Sequence, residues 1–383
     1  MSSLSILCSQ AIGAANTSLA GRYVQISIMF HQMIVIPLIF VGWNRFDDVV
    51  VGIGFDEGTG EDALKYARFA FFVEALNVYD AGIHYILAAT DRENYSSALN
   101  GSKSVFSWLL VACVIRFHRS PQLWMVGAIH VAVTLLFLSI NVAIVVRKRW
   151  LDGYWRGLIG SFCAYDTRAV TTFFKTALPL ALGYVIEYCE WEILFIFASV
   201  QGPAEVAVWG LLGSIWDVSE NIGVAVADAA EMRVANLLGR GKPAEARHSA
   251  HKSILIGTMT SLMMSLVILS MSRALPRWMT PDETLQAMFQ ALLPQMCLGL
   301  AVLTFGTMGW SILCAQGRSS IAAAMCLIGS LGVTLPCALF STFVLHYNLH
   351  GLLTSVVLGF ATSSALVSIC MVSTNWKKLG KSM

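Results

Sequence analysis

The chain has 383 residues, 56% hydrophobic and 13% charged, and its 25 Lys and Arg against 23 Asp and Glu leave a net charge of +2. Ordinary soluble domains carry about 25% charged residues, so a water-soluble globular domain is excluded and an all-α, polytopic membrane protein is expected. The near-neutral balance, with no basic-aromatic motif, gives no footprint for nucleic acid.

In chain order, apolar runs place helices at Leu4–Ala14, Tyr23–Gly42, Tyr66–Thr90, Ser104–Ile115, Trp124–Val146, Phe173–Val200, Glu205–Ala230, Ile254–Met271, Ala287–Cys314, Ile321–Leu345 and Leu352–Val372. That is about eleven segments, of which the first and the Ser104 segment are too short to cross a bilayer unaided. The opening MSSLSILCSQAIG lacks a charged n-region and does not read as a secretory signal.

Lys and Arg set the expected orientation. One side, assigned to the cytoplasm, collects Arg22, Arg92, Lys103, Arg147, Lys148, Arg149, Arg156, Arg168, Lys175, Arg233, Arg240, Lys242, Arg247, Lys252, Arg318, Lys377, Lys378 and Lys381. The other holds Arg45, Lys65, Arg68, Arg116, Arg119, Arg273 and Arg277. An odd number of spans puts the N-terminus outside, and one further helix upstream would return it to the cytoplasm.

Cys8, Cys113, Cys163, Cys189, Cys297, Cys314, Cys326, Cys337 and Cys370 are scattered without CxxC spacing and read as small buried hydrophobes. His31, His118, His130, His248, His251, His346 and His350 show no metal spacing. No metal or cofactor is expected, and the absence of a nucleophile elbow, a P-loop or paired metal ligands argues against an enzyme.

An internal repeat divides the chain. Residues Gln10 to Asn16 (QAIGAAN) recur as Asn236 to Lys242 (NLLGRGK), and Asp91-Arg92 recurs at the same offset as Gly317-Arg318. Two like-oriented, pseudo-symmetric bundles follow: an N-terminal lobe over 1–150, a cytoplasmic linker over 151–172 and a C-terminal lobe over 173–383. Gly, Ala and Arg loops also recur by chance in membrane proteins.

The chemistry concentrates in Pro179–Val200 and Glu205–Val234, which hold Glu187, Glu190, Glu192, Glu205, Asp217, Glu220, Asp228 and Glu231. An Asp at mid-bilayer costs about 2.5–3.5 kcal/mol, so such groups persist where they face a wet cavity or a partner. At 3.6 residues per turn, Asp217, Glu220, Asp228 and Glu231 fall on one stripe about 80° wide, with Glu205 off its edge. Glu187 and Glu190 are i, i+3 neighbours that could share a proton. A solvated face on a soluble helix is the plainer alternative.

Facing Asp217 and Glu220, the Glu187–Glu190 pair would make a cation-selective cavity, where proton and cargo compete. Tyr184, Trp191, Trp209, Trp216 and Trp310 could offer cation–π faces, or simply pack as core aromatics. In the N-terminal lobe, Glu74, Asp80 and His84 share one helix. Asp80 and His84 stand i, i+4 as a possible proton relay, or as a polar pair satisfying itself.

The stretch from Glu231 to Arg247, EMRVANLLGRGKPAEAR, resembles the signature loop of the multidrug and toxic compound extrusion (MATE) family. Cys8 to Ala14, with Gly21, Tyr23 and Gln25, is similar to the matching element of its plant-like eukaryotic branch. Phe174 to Pro179, Glu187, Glu192-Ile193-Leu194, Gln316-Gly317-Arg318, Pro336, Gly351 and Thr374-Asn375-Trp376 extend the likeness over essentially the whole chain. The resemblance implies twelve helices, with the family's first helix and half its second having no counterpart here.

It further implies export of organic, often cationic, solutes in exchange for H+ or Na+, from the plasma membrane or a vacuolar or other organellar membrane. Glu187, Glu192 and Glu205 match family acids; Glu190, Asp217, Glu220, Asp228 and Glu231 rest on the stripe alone. An acid that many members carry on a later helix falls on Leu303, which places neighbouring Thr304 at the cavity, and Arg240 stands where Ala is usual. In the signature, Gly239 and Gly241 suit a tight helix exit and Pro243 a helix start. With Arg233 and Asn236 they read as a hinge and topology anchor. A lipid or oligosaccharide flippase of the same superfamily would want a basic cavity, and a truncated, non-transporting homologue is the remaining alternative.

Overall fold

A segment in lipid must satisfy its own backbone hydrogen bonds, and the computed structural model is helical throughout the residues it describes: 2–52, 56–90, 92–118, 120–159, 166–376 and 379. Asp91, Arg119, Cys163, Lys377, Lys378 and Lys381 lie outside them. The helices are α1 (Ser2–Gly13), α2 (Thr17–Gly52), α3 (Glu57–Ala88), α4 (Glu93–Phe117), α5 (Leu123–Arg147), α6 (Trp155–Leu158), α7 (Thr167–Gln201), α8 (Pro203–Gly239) and α9 (Pro243–Ser270). They continue as α10 (Ala274–Met279), α11 (Glu283–Ala315), α12 (Ser319–Gly329), a π-helical turn at Ser330–Thr334, α13 (Leu335–Phe343) and α14 (Leu349–Val372).

Among the described residues, eight helical stretches are long and apolar enough to cross a membrane, with α12, the π turn and α13 forming one of them. Helices α3 and α8 have 32 and 37 residues and also have the length, but they carry more charge. At 12 residues α1 is half a span, as expected. The expectation for Ser104–Ile115 was wrong: α4 runs 25 residues from Glu93 to Phe117. Four polar side chains of its first half, Tyr95, Ser96, Asn100 and Lys103, pair with α3 and α5, while Glu93, Asn94, Ser97 and Ser102 are exposed. Lys103, expected in a cytoplasmic loop, lies within this helix and meets Asp80 of α3.

The chain divides into two units, 1–173 and 174–383. In the first, α2 packs along α3, α3 along α5, and α4 along α5, while α6 lies on α2. Leu151 and Tyr154 are buried there, so the segment after α5 is folded onto its own unit. A Cβ on Gly157 would meet the Ser18 carbonyl, and one on Gly21 the Tyr154 carbonyl, so α2 and α6 touch backbone to backbone. In the second unit, α11 is central, flanked by α8, α9 and α14. Trp209, Trp216, Phe289, Leu293 and Leu352 fill its core.

The two sequence segments of the repeat end their helices in the same way, as α5 and α11 also do at Arg149 and Gly317. At the end of α1, the N–H groups of Ala14, Ala15 and Asn16 donate to the carbonyls of Gln10, Ile12 and Ala11. At the end of α8, Arg240, Gly241 and Lys242 donate to Asn236, Leu238 and Leu237. Both are the same left-handed helix exit, with φ of 58° at Ala15 and 69° at Gly241. Pro243 then opens α9 at its first turn. Helix starts are fixed as firmly. Asp282 caps α11 through the N–H groups of Thr284 and Leu285. Asp56 caps α3, and the Thr59 hydroxyl and N–H hold its carboxyl below the usual carboxylate range.

Helices α12 and α14 cross at Gly329 and Gly359, where a Cβ on Gly359 would stand 1.8 Å from Thr334 Oγ1 and 3.0 Å from the Gly329 carbonyl. Gly359→Ala is therefore expected to destabilise the protein by about 1–3 kcal/mol through overpacking. Gly101→Ala in α4, where a Cβ meets nothing within 4 Å, should stabilise by about 0.5–1 kcal/mol. Thermal unfolding of the purified protein in detergent measures both, and equal shifts would contradict the close crossing.

Candidate functional site

Helix periodicity puts Glu187 and Glu190 one turn apart on α7, and Glu220 and Asp228 about 12 Å apart along α8. These four carboxylates line a single cavity of about 130 Å³ in the second unit. Its wall is completed by Tyr184, Trp310, Phe360 and Cys326, and by the hydroxyls of Thr307, Ser311, Ser330, Thr334, Ser363 and Ser364. No Lys, Arg or His is among the lining residues.

Each carboxylate has a distinct setting. Glu190 is buried, with 6% of its surface exposed. The π turn aims Ser330 and Thr334 at it. Thr334 Oγ1 donates back to the Gly329 carbonyl at 3.2 Å. Ser330 Oγ is buried and turned toward Glu190 without making a hydrogen bond. Glu220 accepts from Trp216 Nε1 at 3.0 Å, one turn back on its own helix. Glu187 shares the cavity with two carboxylate neighbours, Glu190 and Glu220. Asp228 is exposed and forms the rim.

Several residues expected here lie elsewhere. Asp217 and Glu231 share the angular stripe but not the height, because the cavity takes only the middle of α8. Asp217 is exposed one turn before it, and Glu231 is buried beyond its other end beside Cys314. Glu205, at the start of α8, stands about 22 Å along the axis from Glu220, with its carboxylate against Gly202. Glu192 is exposed, since five residues turn it about 140° away from Glu187.

The aromatics divide in the same way. Tyr184 and Trp310 line the cavity. Trp216 is 1% exposed and packs with Trp191 and Phe360 in the apolar core, so its contribution is the indole N–H rather than a cation–π face. Trp191 also packs at a tilt against Trp209, ring centroids 5.3 Å apart, and is not among the residues lining the cavity. Leu303 lines the cavity, but Thr304 turns to the other side of α11. There it donates to the Leu300 carbonyl at 2.9 Å and adjoins Gly223, Ser219 and Ser261.

The hydroxyls at Ser330 and Thr334 had not been anticipated. The one available signal was the Gly-Ser-Leu-Gly run inside an apolar segment, which permits a π turn.

In the first unit, Asp80 accepts from Lys103 Nζ and Asn141 Nδ2, each at 3.1 Å. Its i+4 neighbour His84 is bonded to Ser96 Oγ and Asn100 Nδ2 instead. The expected Asp80–His84 pair is thus two adjacent contacts that both reach across to α4. Glu74 meets His31 of α2 at 3.3 Å. In the signature loop, Arg233 is exposed, Asn236 is buried, and Gly239, Gly241 and Pro243 form the α8–α9 exit.

The MatE family profile matches residues 1–112 and 179–340. Protein DETOXIFICATION 9 of Arabidopsis thaliana is 24% identical over 390 residues, spanning 98% of this chain and 77% of the relative. An uncharacterized transporter of Schizosaccharomyces pombe is 23% identical over 384 residues, spanning 99% and 69%. The crystal structure of the eukaryotic MATE transporter AtDTX14 superposes with a TM-score of 0.83 at 18% identity, over 100% of this chain and 84% of that one. An outward-facing multidrug resistance MATE family transporter gives a TM-score of 0.87 at 15% identity, over 99% and 84%. These structural likenesses carry the fold.

Cys326 reports on the charge of the cavity it lines. With the other cysteines replaced, an ammonium-bearing methanethiosulfonate should modify Cys326 at least ~10-fold faster than a sulfonate-bearing one of similar size. Equal rates would mean that the cavity carries no net negative potential.

Proposed function

The chain belongs to the MatE family, whose members are integral-membrane secondary-active efflux transporters rather than enzymes, and from that premise we propose that it exports organic cations in exchange for H+ or Na+, with Glu187 as the coupling acid. The observation that carries this reading is the cavity lined by Glu187, Glu190, Glu220 and Asp228 without a Lys, Arg or His beside them.

Negative charge in a low-dielectric site needs a counter-charge, and one must come from outside the lining: a proton, an alkali ion or a cationic solute. Occupation by one lowers the affinity for the others, and that exclusion is what an exchanger requires. The cavity volume of about 130 Å³ equals roughly four waters. In this conformation it suits an ion, and an organic cation would enter as it widens. Trp310 and Tyr184 then offer aromatic faces to such a cation. Glu187 is chosen because it has two carboxylate neighbours in the cavity, Glu190 on its own helix and Glu220 on α8. A carrier of lipid phosphates would need cations in this lining.

Reconstituted in liposomes, Glu187→Gln should reduce proton-driven ethidium export to background, because an amide cannot exchange a proton. Glu61→Gln, at an exposed carboxylate of α3, should export at the original rate. Unimpaired export by Glu187→Gln would remove Glu187 from the mechanism.

A further inference from the structure

Lys103 is a charge in an expensive place. It lies in the eleventh position of the 25-residue α4, about 15 Å from the helix start, where an ammonium persists only with a partner or a polar cavity beside it. It has both. Nζ donates to Asp80 at 3.1 Å, and the Lys103 side chain is 21% exposed against 12% for Asp80. The carboxylate is the enclosed member of the pair, and it keeps a second donor in Asn141. The ammonium is the member that reaches open space.

That space is a cavity of about 600 Å³ lined by Lys103, Asn77, Asn100, Ser104, Trp108 and His130, among others. Its lining holds no Asp or Glu. The volume lies within the range of sites that hold drug-sized ligands, about 300–1,000 Å³. An ammonium has three donors, and Asp80 takes one of them. Asn77, Asn100 and Ser104 add neutral polar groups, whose donors already serve Glu74, His84 and the Asn100 carbonyl, so Lys103 is the donor left to meet an anion, and Trp108, 68% exposed, presents a broad ring at the wall.

From this juxtaposition we infer that the cavity of the first unit binds the carboxylate or sulfonate of an aromatic solute, with Lys103 turning its ammonium from Asp80 to the bound anion. When Lys103 turns, Asp80 retains the Asn141 hydrogen bond, which limits the penalty of leaving a buried carboxylate behind. The aromatic body of the solute lies against Trp108. This inference does not depend on the Glu187 reading, since the two sites are built from different helices in different units.

The test uses the purified full-length protein and two fluorophores of similar shape: dansylglycine, a monocarboxylate, and dansylamide, which is neutral. Binding is read by energy transfer from tryptophan. Lys103→Met should weaken dansylglycine binding by ~10-fold or more, the worth of a charge-assisted hydrogen bond. Asp80→Asn should strengthen it severalfold, because the competitor for Lys103 is gone. Dansylamide should change less than twofold in both variants, and Trp108→Phe should diminish the transfer signal. If Lys103→Met does not fold, the double variant Asp80→Asn/Lys103→Met leaves neither charge alone and should also lack dansylglycine binding. Equal dansylglycine affinity with and without Lys103 would overturn the inference, as would parallel changes in the two fluorophores. Weaker binding in Asp80→Asn would overturn the exchange between Asp80 and the ligand. Ethidium binding should be unaffected by Lys103→Met, and its loss there would likewise count against an anion site.

Discussion

Carboxylates drawn partly or wholly into a helical bundle, with no cation in the wall around them, impose a condition on the second unit: their charge needs a balance that the lining does not supply. Desolvation makes the charged form costly, and crowding of like charges makes it costlier. A fold that only needed stability would pair these groups internally, as Asp80 is paired with Lys103 and Asn141 in the first unit. Leaving the lining of the larger acidic cluster without such a partner is the arrangement of a site meant to be occupied reversibly.

The surrounding packing keeps that site in shape. Trp216 fixes Glu220 through its indole N–H while its ring is locked among Trp191 and Phe360. One side chain thus ties the electrostatics to the apolar core. On the opposite wall, α12 crosses α14 at Gly329 and Gly359, and the π turn begins at the next residue, Ser330. The extra residue in that turn rotates Ser330 and Thr334 toward Glu190. A close glycine crossing is stiff, because neither backbone has a side chain to yield. The hydroxyls therefore sit at one end of a rigid contact, and the α7 carboxylates face them.

Much of this was legible in the sequence because the physics there is local. The period of α8 placed Glu220 and Asp228 on one face, and the i, i+3 spacing joined Glu187 to Glu190. The Gln10 and Asn236 repeats announced the shared left-handed helix exits at Ala15 and Gly241. What failed was distance along the axis. A helical wheel projects Asp217, Glu231 and Glu205 onto or near the stripe, but a cavity has a height as well as a direction. The orientation of Thr304 depended on which neighbour α11 met on each side, and that is set by packing. Helix α4 was cut short because polar residues such as Asn100 and Lys103 depress an apolar run whether they face water or one another. Lys103 counted as a loop marker was in fact half of a part-buried pair. An i+4 relationship between Asp80 and His84 showed a shared face but not their cross-helix partners.

The repeat and its divergence belong together. Both units end a helix with the same backbone hydrogen bonds, so local architecture has been retained where it sets the chain's path. The cavities have not been retained alike. One is lined by carboxylates with no basic residue, and the other by Lys103 and His130 with no carboxylate. Since a backbone-determined fold tolerates wide variation in what lines its cavities, the two units of one chain can carry opposite charge without altering either helix exit. On the readings proposed above, each cavity would select by a different rule, the acidic one by competition among cations, the basic one by competition between an internal carboxylate and an external anion. In the basic one the carboxylate, Asp80, is the more enclosed member of its pair and Lys103 the more exposed, an asymmetry that suits exchange of the partner on the exposed side.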